Sequence, residues 1–264
     1  MSSTLFLAAI LGALPPPGPA AAQDQWTSRS HSFAQEIKIT RQAIKRRDPS
    51  ALARIYRLWN TAALTESVTE LNEELKSLLK IRRTDPLVKD HLHYMLKDLA
   101  HNNGELDVVK NHTAQLGLAT DGWIIGPFEN AGNSGHAQSY PPETSFEPQL
   151  VLPGKSHPVQ WRRIKGLAPH GEVMLAHMVM PNTGATAYGL FALTADKTEK
   201  AALRVGASAQ VKIFYDGELI YEFDGARGPD FDQINIPLLI SKGAHRLLIK
   251  SSWVLSKLST VMAK

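Results

Sequence analysis

Gly122-Trp123-Ile124-Ile125-Gly126-Pro127-Phe128-Glu129-Asn130 is the stretch at which the chain changes character. Upstream of it, apolar residues recur at three- and four-residue spacing, the helix period. Downstream, β-branched and aromatic residues gather into short runs separated by glycine and proline, the pattern of strands and turns. Within the stretch, Trp123-Ile124-Ile125 reads as a short strand, Gly126-Pro127 as the turn that ends it, and Trp123 and Phe128 as core anchors.

Working upstream, residues 32–118 carry both helix periodicity and helix punctuation. Asp48-Pro49 is a start signal: the carboxylate caps free N–H groups and proline fits a first turn. Leu52, Ile55, Tyr56 and Trp59 then share one face. Thr65 opens another helix, with Val68, Leu71, Leu75, Leu78 and Leu79 as its stripe and Glu66, Glu70, Glu73 and Glu74 opposite. Thr84-Asp85-Pro86 repeats the start signal, ahead of Leu87, Val88, Leu92, Met95, Leu96 and Leu99. Asn102-Asn103-Gly104 stops that helix, since Gly and Asn suit a left-handed end. A last helix runs over residues 105–116. The similarity of Arg46-Arg47-Asp48-Pro49 to Arg82-Arg83-Thr84-Asp85-Pro86 suggests a repeat-like hairpin array, without the Trp, Gly and Tyr positions of tetratricopeptide repeats.

Further upstream, residues 5–14 form an apolar run too short to span a bilayer as a helix, which needs about 20 residues. Pro15-Pro16-Pro17 and Ala20-Ala21-Ala22 follow, so residues 1–22 are expected to be a cleavable export signal, with Gln23 first in the mature chain. Met1-Ser2-Ser3-Thr4 departs from the pattern in lacking Lys or Arg. A periplasmic or extracellular bacterial protein is the expectation.

Working downstream, residues 129–143 read as a long polar loop. Residues 160–164, 172–180, 185–195 and 233–239 read as strands. The clearest local signal is Val211-Lys212-Ile213-Phe214-Tyr215, then Asp216-Gly217, then Glu218-Leu219-Ile220-Tyr221-Glu222-Phe223. Asp-Gly between alternating runs marks a tight hairpin, because both turn residues need positive φ. Another strand follows the turn Ser241-Lys242-Gly243. No helix-period segment interrupts these strands, which disfavours a parallel α/β sheet. The expected architecture is α+β in segregated domains: an antiparallel helical array over residues 23–118, then an all-β jelly roll or β-sandwich over residues 119–264.

Order and spacing of motifs here resemble a known module. Gly122-Trp123-x-x-Gly126-Pro127-Phe128-x-Asn130-x-Gly132 is similar to the opening of a galactose-binding-like jelly roll of large bacterial envelope proteins. Tyr140-Pro141-Pro142-Glu143, Trp161-Arg162, Ala187-Tyr188, the Asp216-Gly217 hairpin and residues 242–250 match later motifs of that family in order. The resemblance spans residues 121–253. It implies a sandwich module of the kind found beside tetratricopeptide repeats and transglutaminase-like domains; the cysteine of the latter is absent. Where the family has an acidic Gly-Ser-Asp-Asp-Gly turn, suited to a cation or sugar hydroxyl, this chain has Gly206-Ala207-Ser208-Ala209-Gln210. Both carboxylates are missing, which argues against calcium there.

Composition narrows the chemistry. The chain has 264 residues, no cysteine and a formal net charge of +4. Lack of cysteine removes thiolate metal sites, iron–sulfur ligation and thiol catalysis. The one dense basic run, Lys45-Arg46-Arg47, sits at a helix end, where the dipole favours cations, so nucleic acid is not an expected partner. His91 and His93 lie two apart and do not share a helix face, and neither His101 nor His112 completes a zinc-binding spacing, so no metal is expected. No cofactor motif and no nucleophile-plus-base motif is present.

Asp224, Asp230 and Asp232 are close in sequence. They can be read as turn formers or, as paired acids, as support for a hydrolase or calcium. Trp161, Tyr188, Tyr215 and Tyr221 can stack on a sugar or peptide, or pack in the core. The leading expectation is therefore an exported, non-catalytic protein whose jelly roll binds an envelope glycan or polypeptide, with Trp161, Tyr188, Tyr215 and Asp230 as candidate ligand residues. The alternatives are a structural or assembly component docking a partner through its helices, and a hydrolase using loop acids.

Overall fold

The structure, a computed structural model, describes residues 19–65, 67–165, 171–254 and 260–263. The apolar run and prolines of the expected export signal lie outside the described residues. The protein is a helical region followed by an antiparallel β-sandwich. It divides into two compact units, the first up to Leu92 and the second from His93 onward.

The first unit contains α1 (Pro19–Arg46), α2 (Ala51–Thr65), α3 (Val68–Leu79) and the beginning of α4 (Pro86–Asn102). Its core includes Ile55, Leu71, Leu75, Leu78 and Leu92 from the stripes read in the sequence and also Leu58, which lay outside them; Leu52, Tyr56 and Trp59 are only half-buried, and Val68 and Leu87 are exposed. Each such buried side chain contributes about 1.5–3 kcal/mol by leaving water. The two start signals act as expected. Asp48 Oδ1 accepts the Ser50 N–H at 2.8 Å, and Asp85 Oδ1 accepts the Leu87 N–H at 2.9 Å. The likeness between the two segments extends to the backbone, since Arg47 and Arg83 both take left-handed φ angles, 55° and 65°. Thr65, expected to open a helix, instead ends α2, and α3 begins at Val68. Propensity at a single threonine cannot outweigh the packing of Leu58 and Ala62 along the preceding turn.

In the second unit, α5 (Leu106–Leu116) ends at Gly117, whose φ of 66° is the left-handed cap expected there. The sandwich follows. One sheet has six strands: β1 (Asp121–Glu129), β2 (Arg162–Lys165), β4 (Ala185–Ala195), β6 (Gln210–Tyr215), β7 (Glu218–Phe223) and β9 (Gly243–Trp253). Their order is β2-β1-β4-β9-β6-β7. The other sheet holds β3 (Glu172–Met174), β5 (Glu199–Ala207), β8 (Ile234–Ile240) and β10 (Thr260–Ala263), ordered β3-β10-β5-β8. All the pairings are antiparallel. The main core lies between the sheets. Ile124, Phe191, Val211, Ile213, Leu247 and Ile249 of the larger sheet meet Leu203, Val205 and Ile234 of the smaller.

The opening stretch is a single strand with an irregularity inside it. Gly126-Pro127 does not turn the chain; β1 runs through it to Glu129, with a register shift between Ile125 and Phe128. The Gly126–Pro127 bond is cis. Gly126 has φ 140°, and a Cβ there would lie 2.9 Å from the Ala187 Cβ, so only glycine fits. Phe128 is buried, whereas Trp123 is half-buried and packs edge-on against Phe146. Asn130, buried at the end of the stretch, donates its Nδ2–H to the Trp253 carbonyl at 3.1 Å and accepts the Gly135 N–H at 2.9 Å.

Three other expectations change. The polar loop of residues 129–143 contains short helical turns at 131–133, 134–137 and 141–143. Residues 172–180 form only three residues of strand before a helical turn, Leu175–Met178, which buries Leu175 and Ala176. Strand β5 was not legible, because Glu-Lys-Ala-Ala-Leu is helix-forming composition. Pairing with β8 and β10 overrides that preference.

Candidate functional site

Strand alternation gives the six-stranded sheet an outer face whose residues form rows across the strands. One row is apolar: Leu190, Leu248 and Phe214, covered by Trp161 and Val159. The next is Tyr188, Lys250, Lys212 and Glu222, from β4, β9, β6 and β7. The third is Thr186, Ser252 and Gln210. The first two rows lie beneath residues 130–161; the third borders an open cleft.

The covering segment is fastened by a buried charge network. Lys250 is fully buried, and its Nζ–H groups reach Glu143 Oε1 at 2.8 Å and the Gln138 carbonyl. The Tyr188 hydroxyl donates to the same Glu143 oxygen at 2.6 Å, and Ser139 Oγ–H donates to Oε2 at 2.8 Å. Burial pushes the Glu143 carboxyl up, but hydrogen bonds from Lys250 and Tyr188 outweigh it and hold the carboxyl below its ordinary value. Burial lowers the Lys250 ammonium and raises the Tyr188 phenol, the latter helped by its bond to Glu143. Buried His136, in the same segment, has Nε2 3.1 Å from Glu222 Oε1. Burial and then Lys212 lower its pKa.

The cleft has a volume of about 390 Å³ and is lined by Asn133, Gln210, Asp224, Ser252, Trp253 and Val254, with the small residues Ala209, Gly225 and Ala226. Its position follows from two turns. The turn that leads into β6 places Ala209 in the left-handed region, φ 63°, where its N–H donates to the Arg227 carbonyl at 3.2 Å. The segment after β7 presents Asp224 opposite. Gln210 Nε2–H donates to Asp224 Oδ1 at 2.5 Å, and Gln210 Oε1 is buried without a donor. Ser252 Oγ is shared with Thr186 Oγ1 at 2.8 Å. The exposed carboxylate of Asp224, the exposed amide of Asn133 and the half-buried amide of Gln210 thus converge on a concave surface with small walls, while Ser252, fully buried and bonded to Thr186, lies in its floor. That arrangement can hydrogen-bond a polar, uncharged molecule but brings no nucleophile and base together.

The residues singled out from the sequence fall in different places. Trp161 is buried under the covering loop, and Tyr188 is fully buried with its hydroxyl on Glu143. Tyr215 is half-buried and stacks on His245 at 5.3 Å between ring centres, with its hydroxyl buried and unpartnered. Asp230 is exposed, and its Oδ1 accepts the Phe231 N–H at 2.8 Å. The structure does not bring these four into one site. The loop acids also diverge in their partners: Asp224 takes Gln210, Asp230 takes the Phe231 N–H, and Asp232 pairs with Arg204. Among the described residues, no group of three or more His, Asp and Glu side chains is arranged for a metal ion. No described helix is long and apolar enough to cross a membrane.

Of the cleft residues, the sequence marks Asp224 only as one of the loop acids and does not mark Gln210 or Ser252 as ligand residues, yet one further signal touches the site. Ala209-Gln210 belongs to the segment where the resembling family carries its acidic turn. The departure from that family sits at the cleft's edge, and Asp224 supplies a carboxylate from a different strand end.

No family model and no curated protein matches the sequence. Among solved structures, part of the chain is similar to a GH31 alpha-xylosidase from Xanthomonas citri, with 11% identity and a TM-score of 0.31 over 45% of this chain and 16% of that one. It is similar to a beta-glucosidase from Kluyveromyces marxianus, with 10% identity and a TM-score of 0.33 over 53% of this chain and 16% of that one. A family 35 carbohydrate binding module from an environmental isolate is matched at 10% identity and a TM-score of 0.23, over 30% of this chain and 65% of the module. The chain therefore spans about a sixth of the two glycosidases, and at these scores the likenesses carry no argument about function.

Proposed function

We propose that this is an exported, non-catalytic binding protein whose sandwich holds a glycan in the cleft between Gln210 and Asp224. The observation that carries the reading is the convergence there of Asp224, Gln210 and Asn133 on a concavity of about 390 Å³ walled by Ala209, Gly225 and Ala226. Carboxylate and amide groups pair with vicinal hydroxyls, and small walls admit a ring edge. Supporting export is the apolar run of residues 5–14 followed by Ala20-Ala21-Ala22. The non-catalytic reading is supported by the separate partners of Asp224, Asp230 and Asp232.

The test is a glycan array with the mature chain from Gln23, followed by calorimetry on any hit. Asp224→Ala and Gln210→Ala are expected to weaken binding at least tenfold, about 1.4 kcal/mol or more. Binding unchanged in both variants refutes the assignment of the cleft.

A second reading has its own observation. In the helical unit, Ile44, Leu52, Leu87 and Val88 line a groove of about 350 Å³, with Leu87 41% exposed. Such a groove suits an apolar segment of a protein partner. Leu87→Asp would abolish capture of that partner while leaving glycan binding intact; equal capture by the variant removes this reading.

A further inference from the structure

The sequence spacing separated the histidines of the helical region, but the fold rejoins two of them. His93 lies on α4 and His112 on α5, and the turn around Gly104 (φ 74°) folds one helix back beside the other. Their Nδ1 atoms end 2.8 Å apart, with ring centres at 5.1 Å and planes inclined by 53°. Both side chains are half-buried, so solvent reaches the pair.

Two imidazoles converging through the same nitrogen have two physical uses. One is an N–H···N hydrogen bond between neutral rings. The other is chelation. At a metal–nitrogen bond of about 2.05 Å, two ligands at cis positions 90° apart have nitrogens about 2.9 Å apart, whereas tetrahedral positions require about 3.3 Å. The observed 2.8 Å suits the hydrogen bond and, of the two metal geometries, the cis spacing of a tetragonal centre. Tetragonal geometry with nitrogen and oxygen ligands is the preference of Cu(II), which also heads the affinity order for such donors.

We infer that His93 and His112 form a two-histidine site for a Cu²⁺ ion, held at Nδ1 of each ring, with water in its other positions. With the metal bound, each neutral ring carries its proton on Nε2; the ring that had donated its Nδ1–H across the pair changes tautomer, its proton passing through solvent from Nδ1 to Nε2, so no net proton is lost. The ion would sit about 1.5 Å off the line joining the nitrogens, on the solvent side. A site with two protein ligands is compatible with the lack of any three-residue cluster of His, Asp and Glu among the described residues. Binding would fasten α4 to α5 at a point independent of the sandwich cleft.

The test is a Cu²⁺ titration of the intact protein followed by electron paramagnetic resonance, in parallel with His93→Gln, His112→Gln and the double variant. Circular dichroism of each variant verifies that the helices are retained. Expected is one equivalent with a tetragonal spectrum showing coupling to two nitrogens, weakened at least tenfold by either single change and lost in the double. Cu²⁺ uptake with the same stoichiometry and spectrum in the folded double variant would place the copper at other histidines and overturn the inference. A pair that takes no copper in the wild-type chain would show that its spacing serves only a hydrogen bond.

Discussion

Replacing Glu143 by glutamine tests whether the covering segment is clamped by charge. Lys250 is fully buried, and its Nζ lies 2.8 Å from Glu143 Oε1. At an effective dielectric constant of about 20, two charges at that distance attract by about 6 kcal/mol before the cost of burying them. Most of that is offset by desolvation, but removing one partner leaves the other charge buried and uncompensated, which costs about 3–5 kcal/mol. Glutamine keeps an oxygen to accept from Tyr188 and Lys250, so Glu143→Gln is expected at the low end, about 3 kcal/mol. Lys250→Met leaves Glu143 with its bonds from Tyr188 and Ser139 and should cost about 1–3 kcal/mol. The double variant has no buried charge and keeps the Tyr188 bond, so its cost is expected to be about 1 kcal/mol, far below the sum. The assay is urea unfolding followed by tryptophan fluorescence, since Trp123, Trp161 and Trp253 all report the sandwich. With a slope of about 2–3 kcal/mol/M, Glu143→Gln should lower the midpoint by about 1–1.5 M. A loss below about 0.5 kcal/mol, or a double variant as unstable as the sum, would refute a desolvated ion pair at Lys250.

Two further changes probe the same region. Ala209 adopts φ 63°, a left-handed conformation that costs a residue with a Cβ about 1–2 kcal/mol. Ala209→Gly is therefore expected to raise stability by about 0.5–1 kcal/mol net of glycine's chain entropy, read as a higher unfolding midpoint; a loss would show that the Ala209 methyl packs favourably. His136 has a folded pKa lowered from 6.5 by burial and then by Lys212. The unfolded chain then binds the proton more readily, so stability should fall as pH drops from about 6.5 through the folded value and level off below it. His136→Gln should flatten that part of the profile, and an unchanged pH dependence would remove His136 as its source.

What the sequence shows and what it hides have separate causes. Helix starts at Asp48 and Asp85 were legible because capping is local, and so was the Asp216-Gly217 hairpin, whose φ angles are 51° and 92°. The sandwich class followed from alternation and from the order of motifs after Gly122. Strand β5 was hidden because Glu199-Lys200-Ala201-Ala202-Leu203 has helix-forming composition, which only pairing with β8 and β10 overrides. The site was hidden for a related reason. Trp161 and Tyr188 look like ligand platforms only if the outer face is open. Residues 130–161 cover it without a periodic pattern that announces where they lie. The pair of Gln210 with Asp224 depends on two turns meeting, and that of His93 with His112 on two helices folding back; neither spacing resembles a motif.

The central claim, that the sandwich binds a glycan at the cleft beside Gln210 and Asp224, is tested most directly by backbone-amide NMR of the isotope-labelled mature chain titrated with an oligosaccharide drawn from the array. Shifts are expected to concentrate at residues 209–210, 224–226 and 252–254 and, in Asp224→Ala, to need at least tenfold more oligosaccharide to saturate. Shifts confined to the helices or to the other sheet, or shifts at the cleft that saturate at the same concentration in Asp224→Ala, would contradict it.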